Sequence, residues 1–201
     1  MVNPWLDIAS TVTVQTGPSV EPVSLAAAKR SLRLETSADD DLVGFLIQAA
    51  REYTERIANR SLITQTLDLT FDEWPGDEIE LPRGPVQSVT SVTSYTAADA
   101  AVVMDAADYR VDTATDPGRI ALNDGAVWPS DLRATGSVGL VRYVTGYGAA
   151  VDDSVPAPLR QAIVLLGGHW YESTGVAGPN LSVLPFGFDA AIAPYRIPAA
   201  G

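Results

Sequence analysis

A single histidine, His169, is the obvious candidate base in this 201-residue chain, and it stands beside Trp170 in an apolar stretch with helical spacing. Nucleophilic catalysis would need a serine presented to that base. No Gly-x-Ser-x-Gly turn occurs, and Gly136-Ser137-Val138-Gly139 lacks the spacing. His169 is therefore read as structural. Carboxylate pairs for acid–base work could come from Asp39 to Asp41, Asp72/Glu73 or Asp152/Asp153. Each pair sits where helix caps and turns favour aspartate, and that is the reading adopted. The chain has no cysteine, no Asp-x-Asp-x-Asp-Gly loop, no His-Glu-x-x-His helix and no glycine-rich phosphate loop. No catalytic, cofactor-binding or metal residue is assigned, no cofactor is expected, and the chain is not read as an enzyme. Trp74 and Trp128 with paired acids leave one remote alternative, a carbohydrate-binding or hydrolytic module, which would need a cleft with converging carboxylates.

The net charge of −12 is unevenly spread. Residues 61–154 carry fifteen acids against five bases, while residues 1–60 carry eight against six and residues 155–201 two against two. An acidic surface repels phosphate, so a basic footprint for duplex DNA or RNA is excluded and solubility is favoured. No run approaches the ~18 apolar residues of a membrane span. The start, MVNPWLDIAS, has neither a basic region nor an apolar core of the kind a secretory signal needs. A soluble cytoplasmic chain with no membrane partner is expected.

Stepping along the chain, Thr11-Val12-Thr13-Val14 closed by Gly17-Pro18 predicts a loosely held arm or edge strand within residues 1–20. Ser24 is placed as the N-cap of a short helix from Leu25 to Leu34. Asp39 to Asp41 should cap a second helix, in which Leu42, Phe45, Leu46, Ala49, Ala50, Tyr53 and Ile57 form the apolar stripe. Arg51 and Glu55 fall on the opposite face, and the helix ends near Asn59. The period then changes from 3.6 to 2. Strands are expected at 67–72 (with Leu67, Leu69 and Phe71 on one face), 79–81, 86–95 with a bulge, 109–111, 119–122 and 138–143. Pro158 opens a last helix, striped by Leu159, Ile163, Leu166 and Trp170, which runs to about Ser173 and is closed by Gly175. The expected architecture is α+β: a small helical bundle from residues 21–60 and 155–173, an antiparallel β-rich insertion at 61–154, the arm at 1–20 and an extended tail at 174–201.

That tail is too apolar for a solvated segment and too rich in proline and glycine for a long helix or central strand. It either packs back on its own domain or docks on another subunit. The docking reading makes Leu181, Leu184, Phe186, Phe188, Ile192, Tyr195, Arg196 and Ile197 an interface to another subunit, with Tyr195 and Arg196 as anchors. Deleting residues 181–201 is then expected to leave a folded monomer that fails to dock on its partner.

A series of short motifs in one order gives a family resemblance. It runs Glu21-Pro22-Val23-Ser24-Leu25-Ala26-x-Ala28-Lys29, Leu32-Arg33, the aspartate cluster, Ala49-Ala50-Arg51-Glu52-Tyr53-x-Glu55, Ser61-Leu62-Ile63-Thr64-Gln65-Thr66 and Trp74-Pro75. Leu81-Pro82-x-x-Pro85-Val86-Gln87-Ser88-Val89, Tyr109, Thr145-Gly146-Tyr147-Gly148, Val155-Pro156, Gln161-Ala162-Ile163 and His169-Trp170-Tyr171-Glu172 complete it. Over residues 21–197 this resembles the head-tail connector, or head-completion adaptor, family of long-tailed phages, prophages and gene transfer agents. The resemblance implies a helical bundle with a β-rich insertion, assembled in the bacterial cytoplasm as a ring of about twelve copies in the neck of a virion or phage-like particle. The implied partners are the portal protein and a tail-side stopper or tail terminator protein, with DNA passing through the channel without specific binding. A tail-completion or stopper protein of the same neck is the alternative.

Overall fold

A computed structural model describes residues 10–151, 154–173 and 184–197. The described chain forms an α+β fold in two units. Residues 10–17 and 64–146, with Ile197, make a β unit; residues 18–63 and the described residues of Tyr147–Arg196 make a helical unit.

In the helical unit, Ser24 Oγ accepts from the Ala27 backbone N–H at 3.1 Å and starts α1 (Leu25–Leu32). Val23 before the cap and Ala28 in the first turn are both buried in one cluster, the arrangement of a hydrophobic staple. Arg33 closes α1 in the left-handed region at φ 57°. The second helix, α2 (Asp40–Ala58), ends at Asn59 with φ 52°, as its sequence predicts. Its start differs from expectation. Asp39 occupies the cap position but makes no capping hydrogen bond; its carboxylate accepts from the Tyr171 hydroxyl at 2.7 Å instead, and Asp40 pairs with Lys29.

The buried face of α2 is also turned from the expected one. Val43, Leu46, Ile47, Ala50, Thr54 and Ala58 point inward, whereas Phe45 is 64% exposed. Arg51 and Glu55, expected on the solvent side, are buried because they satisfy each other and the neighbouring chain. Leu159, Ile163 and Leu166 of α3 (Ala157–Ser173) are fully buried, with Trp170 at the edge of the same core. α2 and α3 pack closely at Gly167, where a Cβ would lie 3.2 Å from Ile47 Cδ1. The tail expected to be extended instead turns at Gly187 (φ 94°) into α4 (Phe188–Ile192) and a 3-10 turn at Ala193–Tyr195. Gly175, expected to close α3, lies outside the described residues.

The β unit holds two antiparallel sheets. One runs β1 (Ser10–Thr16), β2 (Gln65–Phe71), β8 (Gly139–Thr145), β4 (Val86–Tyr95), β5 (Ala101–Val103); the other runs β3 (Glu78–Leu81), β7 (Gly118–Leu122), β6 (Tyr109–Asp112). The arm at 10–16 is thus the edge strand of the larger sheet, pairing with β2 in place of standing apart. Leu67, Leu69 and Phe71 face the core of this unit together with Ile79, Leu81, Ile120, Val141 and Tyr143. β4 carries irregularities between Val86 and Ser88 and between Val89 and Ser91, at the strand where uneven spacing predicts a bulge. β5, three exposed residues, has no strand signal in the sequence. The β unit takes Thr64–Gly146 of this segment, since Leu62 and Ile63 are buried in the helical core and Tyr147 onward belongs to the helical unit.

Candidate functional site

The groups whose types could do chemistry are scattered among the described residues. His169 is half-buried, with Nε2 unpartnered among the described residues and its backbone carbonyl accepting from Ser173 Oγ at 2.7 Å. Asp72 and Glu73 are exposed, and Asp152 and Asp153 lie outside the described residues. No three carboxylates or histidines converge on a metal-sized space among the described residues. Trp74 and Trp128 stack on each other, with centroids 4.7 Å apart and planes 6° apart. Trp74 Nε1 donates to the Pro129 carbonyl at 3.1 Å and Trp128 Nε1 donates to the Gly76 carbonyl. Phe71 lies on Trp74 at 4.9 Å, so the indole pair closes the β core and does not present two open faces to a sugar.

Leu181 of the expected interface lies outside the described residues. Phe188 and Ile192 are fully buried, with Phe188 against Tyr53 of α2 at 5.8 Å. Their four-residue spacing puts both on one face of α4, a signal present in the sequence that ranks them as core in place of interface. For these two residues the docking expectation is corrected: the chain's own helices cover them. Leu184 and Tyr195 pack at the edge of the same core, and Arg60 Nε donates to the Tyr195 carbonyl. Ile197 is half-buried, and Arg196 is exposed, 3.4 Å from the Asp189 carboxylate. Phe186, at 103% relative exposure, is the most exposed large apolar side chain among the described residues. The packed-back and docked readings of the tail therefore divide residue by residue.

Sequence reasoning missed a second surface, on the side of α2 that carries Gly44 and Ile47. Glu21, in the segment before α1, accepts from Arg51 Nε at 2.8 Å and from Arg51 Nη2 at 3.3 Å. Arg51 Nη1 donates to Glu55 at 3.0 Å, and the other Glu55 oxygen accepts from the Leu62 backbone N–H at 2.8 Å. Burial works against the Arg51 charge, but the Glu21 hydrogen bond and the Glu55, Glu21 and Glu52 carboxylates outweigh it and hold its pKa above the ordinary value. This buried chain of charges fixes residues 20–24 against α2. Beside it lies an apolar groove of about 320 Å³ lined by Val20, Val23, Leu25, Gly44, Ile47 and Val151. The readable trace in the sequence is the staple pair Val23 and Ala28 flanking Ser24.

The β unit supplies the electrostatic surface. Residues 64–146 contain thirteen acids against five bases. Ion pairs take up Asp68 (with Arg142), Glu78 (with Arg119) and Asp99 (with Arg133), while Asp72, Glu73, Asp77, Asp105, Asp108, Asp112, Asp124 and Asp131 are exposed. No helix among the described residues is long and apolar enough to cross a membrane.

Residues 22–111 match the family described as phage gp6-like head-tail connector protein. The whole fold recurs in three solved particles. A chain in the neck of an empty gene transfer agent (GTA) particle, computed with C6 symmetry, is 27% identical with a TM-score of 0.76, covering 94% of this chain and 96% of that one. A chain in the virion of a native GTA particle is 26% identical with a TM-score of 0.77 over the same shares. A chain in the neck of a native GTA particle computed with C12 symmetry is 27% identical with a TM-score of 0.67, over 92% and 96%. No curated protein matches. Residues 22–111 are thus similar to the phage gp6-like head-tail connector family, and the fold is similar to that of chains in gene transfer agent particles.

Proposed function

We propose that this chain is one subunit of a ring in the neck of a phage or phage-like particle, where it joins head to tail. The observation that carries the reading is the extent of the likeness: 94% of this chain and 96% of the neck chain superimpose, so both units have counterparts there and neither is a borrowed module. A structural connector role in the neck follows from that likeness together with the family match. The C6 and C12 symmetries of the related necks support a ring oligomer.

The finer parts of the proposal are a ring of about twelve copies, a portal protein on the head side and a stopper or tail terminator protein on the tail side. The exposed acids of the β unit support a further element. Facing the bore, they would repel phosphates and let DNA slide without sticking. Particles made without this chain should accumulate as filled heads with free tails; normal yields of tailed particles would overturn the connector role. A map of the intact neck tests the bore separately, and acids such as Asp105, Asp108 and Asp124 on the outer rim would remove the channel-lining part alone.

A further inference from the structure

The helical unit carries a hole and a knob that its own fold does not bring together. The hole is the groove of about 320 Å³ described above, bordered by Leu25 and Val151, which are 39% and 38% exposed. Its two polar wall residues are committed: Glu21 is tied to Arg51, and Ser24 Oγ caps α1. The groove therefore offers no free polar group, and its occupant must be an apolar side chain. Ligand pockets begin at about 300 Å³, so the space suits one or two side chains and not a helix.

The knob is Phe186. The left-handed Gly187 and the fully buried Phe188 follow it directly, so a short rigid turn holds its ring in solvent. Gly187 rests against Leu165 of α3, to which a Cβ there would stand at 3.9 Å. Leu165 is two residues, or roughly 200°, round α3 from Gly167, which faces α2 at Ile47. Phe186 is not among the residues that line the groove, which lies at Gly44 and Ile47 of α2.

We propose that Phe186 of one copy fills the Val20–Val23–Leu25–Ile47 groove of the next copy around the ring. The inference rests on the ring reading given above. A ring built by rotation needs two different, complementary patches on each subunit. One exposed aromatic and one apolar hole at separate places on the same unit meet that requirement, and an aromatic seated in a dry pocket is the usual form of an interface anchor.

The cysteine-free chain allows a direct test. Necks are isolated from particles carrying the full-length double variant Leu25→Cys, Phe186→Cys and treated with a short bis-maleimide cross-linker. The expected result is a ladder of covalent multimers beyond the dimer, absent from either single variant. Adding Gly44→Phe, whose ring would occupy the groove because nothing lies within 4 Å of that Cβ, should reduce the ladder at least about tenfold. Negative-stain images of the same necks separate the two readings. Rings without a ladder overturn the Phe186 contact and leave the ring standing, as would a cross-link from Phe186→Cys to a different protein of the neck. Necks in which this chain forms no ring overturn both.

Discussion

Phe188→Ala tests whether the C-terminal segment belongs to the chain's own core. The phenyl ring is fully buried, and leaving it so contributes about 2–3 kcal/mol of transfer free energy. Its tilted contact with Tyr53 adds about 0.5–1.5 kcal/mol. Collapse into the vacated space is limited, because Tyr53 is fixed in α2 and is itself held edge-on to Trp170 at 6.1 Å. The expected loss is therefore about 4–5 kcal/mol, at the upper end of measured Phe→Ala changes. With a urea m-value of about 2–3 kcal/mol/M, the midpoint should fall by about 2 M. Urea titration of the purified chain, followed by circular dichroism at helical wavelengths, measures it. Phe186→Ala is the control, expected within about 0.5 kcal/mol of wild type because the side chain touches little. A Phe188→Ala loss below about 1 kcal/mol, or equal losses for the two variants, would refute the assignment of α4 to the core. The same reasoning revises the expectation for deletion of residues 181–201. That truncation removes Phe188 and Ile192 together, a loss comparable to the whole stability of a domain at about 5–15 kcal/mol, so a folded monomer is no longer the expected product.

Three further outcomes are expected. Arg51→Met removes the buried ion pair with Glu55 and the hydrogen bonds to Glu21 and should cost about 3–5 kcal/mol in urea unfolding, whereas Gln48→Met on the exposed face should change little. Gly139→Ala would place a Cβ 2.1 Å from the ring of Phe71, which Trp74 and the core prevent from moving, so a loss of about 1–3 kcal/mol is expected in the transition followed by β-sheet circular dichroism. Burial pushes the Tyr143 hydroxyl far above its ordinary pKa of 10, with Arg83 opposing weakly, and Tyr143 donates to the Pro82 carbonyl at 2.7 Å. The folded chain thus keeps a proton that the unfolded chain releases from pH 10 upward, so stability is fully present below pH 10 and falls above it. Urea midpoints at pH 8, 10 and 11 should decline less steeply in Tyr143→Phe than in wild type.

Local signals made much of the fold legible. Ser24 and Asn59 mark helix boundaries through side-chain and backbone chemistry confined to a few residues, and both stand where expected. Alternation placed Leu67, Leu69 and Phe71 on the buried face of β2 for the same reason. The aspartate cluster marked the start of α2, with Asp39 at the cap position and Asp40 and Asp41 in the first turn, but the Asp39 and Asp40 carboxylates reach Tyr171 and Lys29, partners 132 and 11 residues away, which local sequence does not show. Arg51 and Glu55 were placed on the solvent face by polarity alone. Their burial depends on Glu21, 30 residues earlier, arriving to complete the hydrogen bonds.

The sequence by itself determined the α+β class, the acid excess of the β-rich segment and, through motifs in fixed order, the resemblance to head-tail connectors. These follow from residue type and short-range periodicity, which need no knowledge of distant neighbours. Only the tertiary structure decided that Asp68 meets Arg142 across β2 and β8, or that residues 18–24 and α2 enclose a groove. It alone separated Phe188, buried by α2 and α3, from Phe186 two residues earlier in full solvent. In a segment broken by proline and glycine, hydrophobicity says that a side chain needs cover, while the path of the chain through space determines whether that cover comes from its own helices.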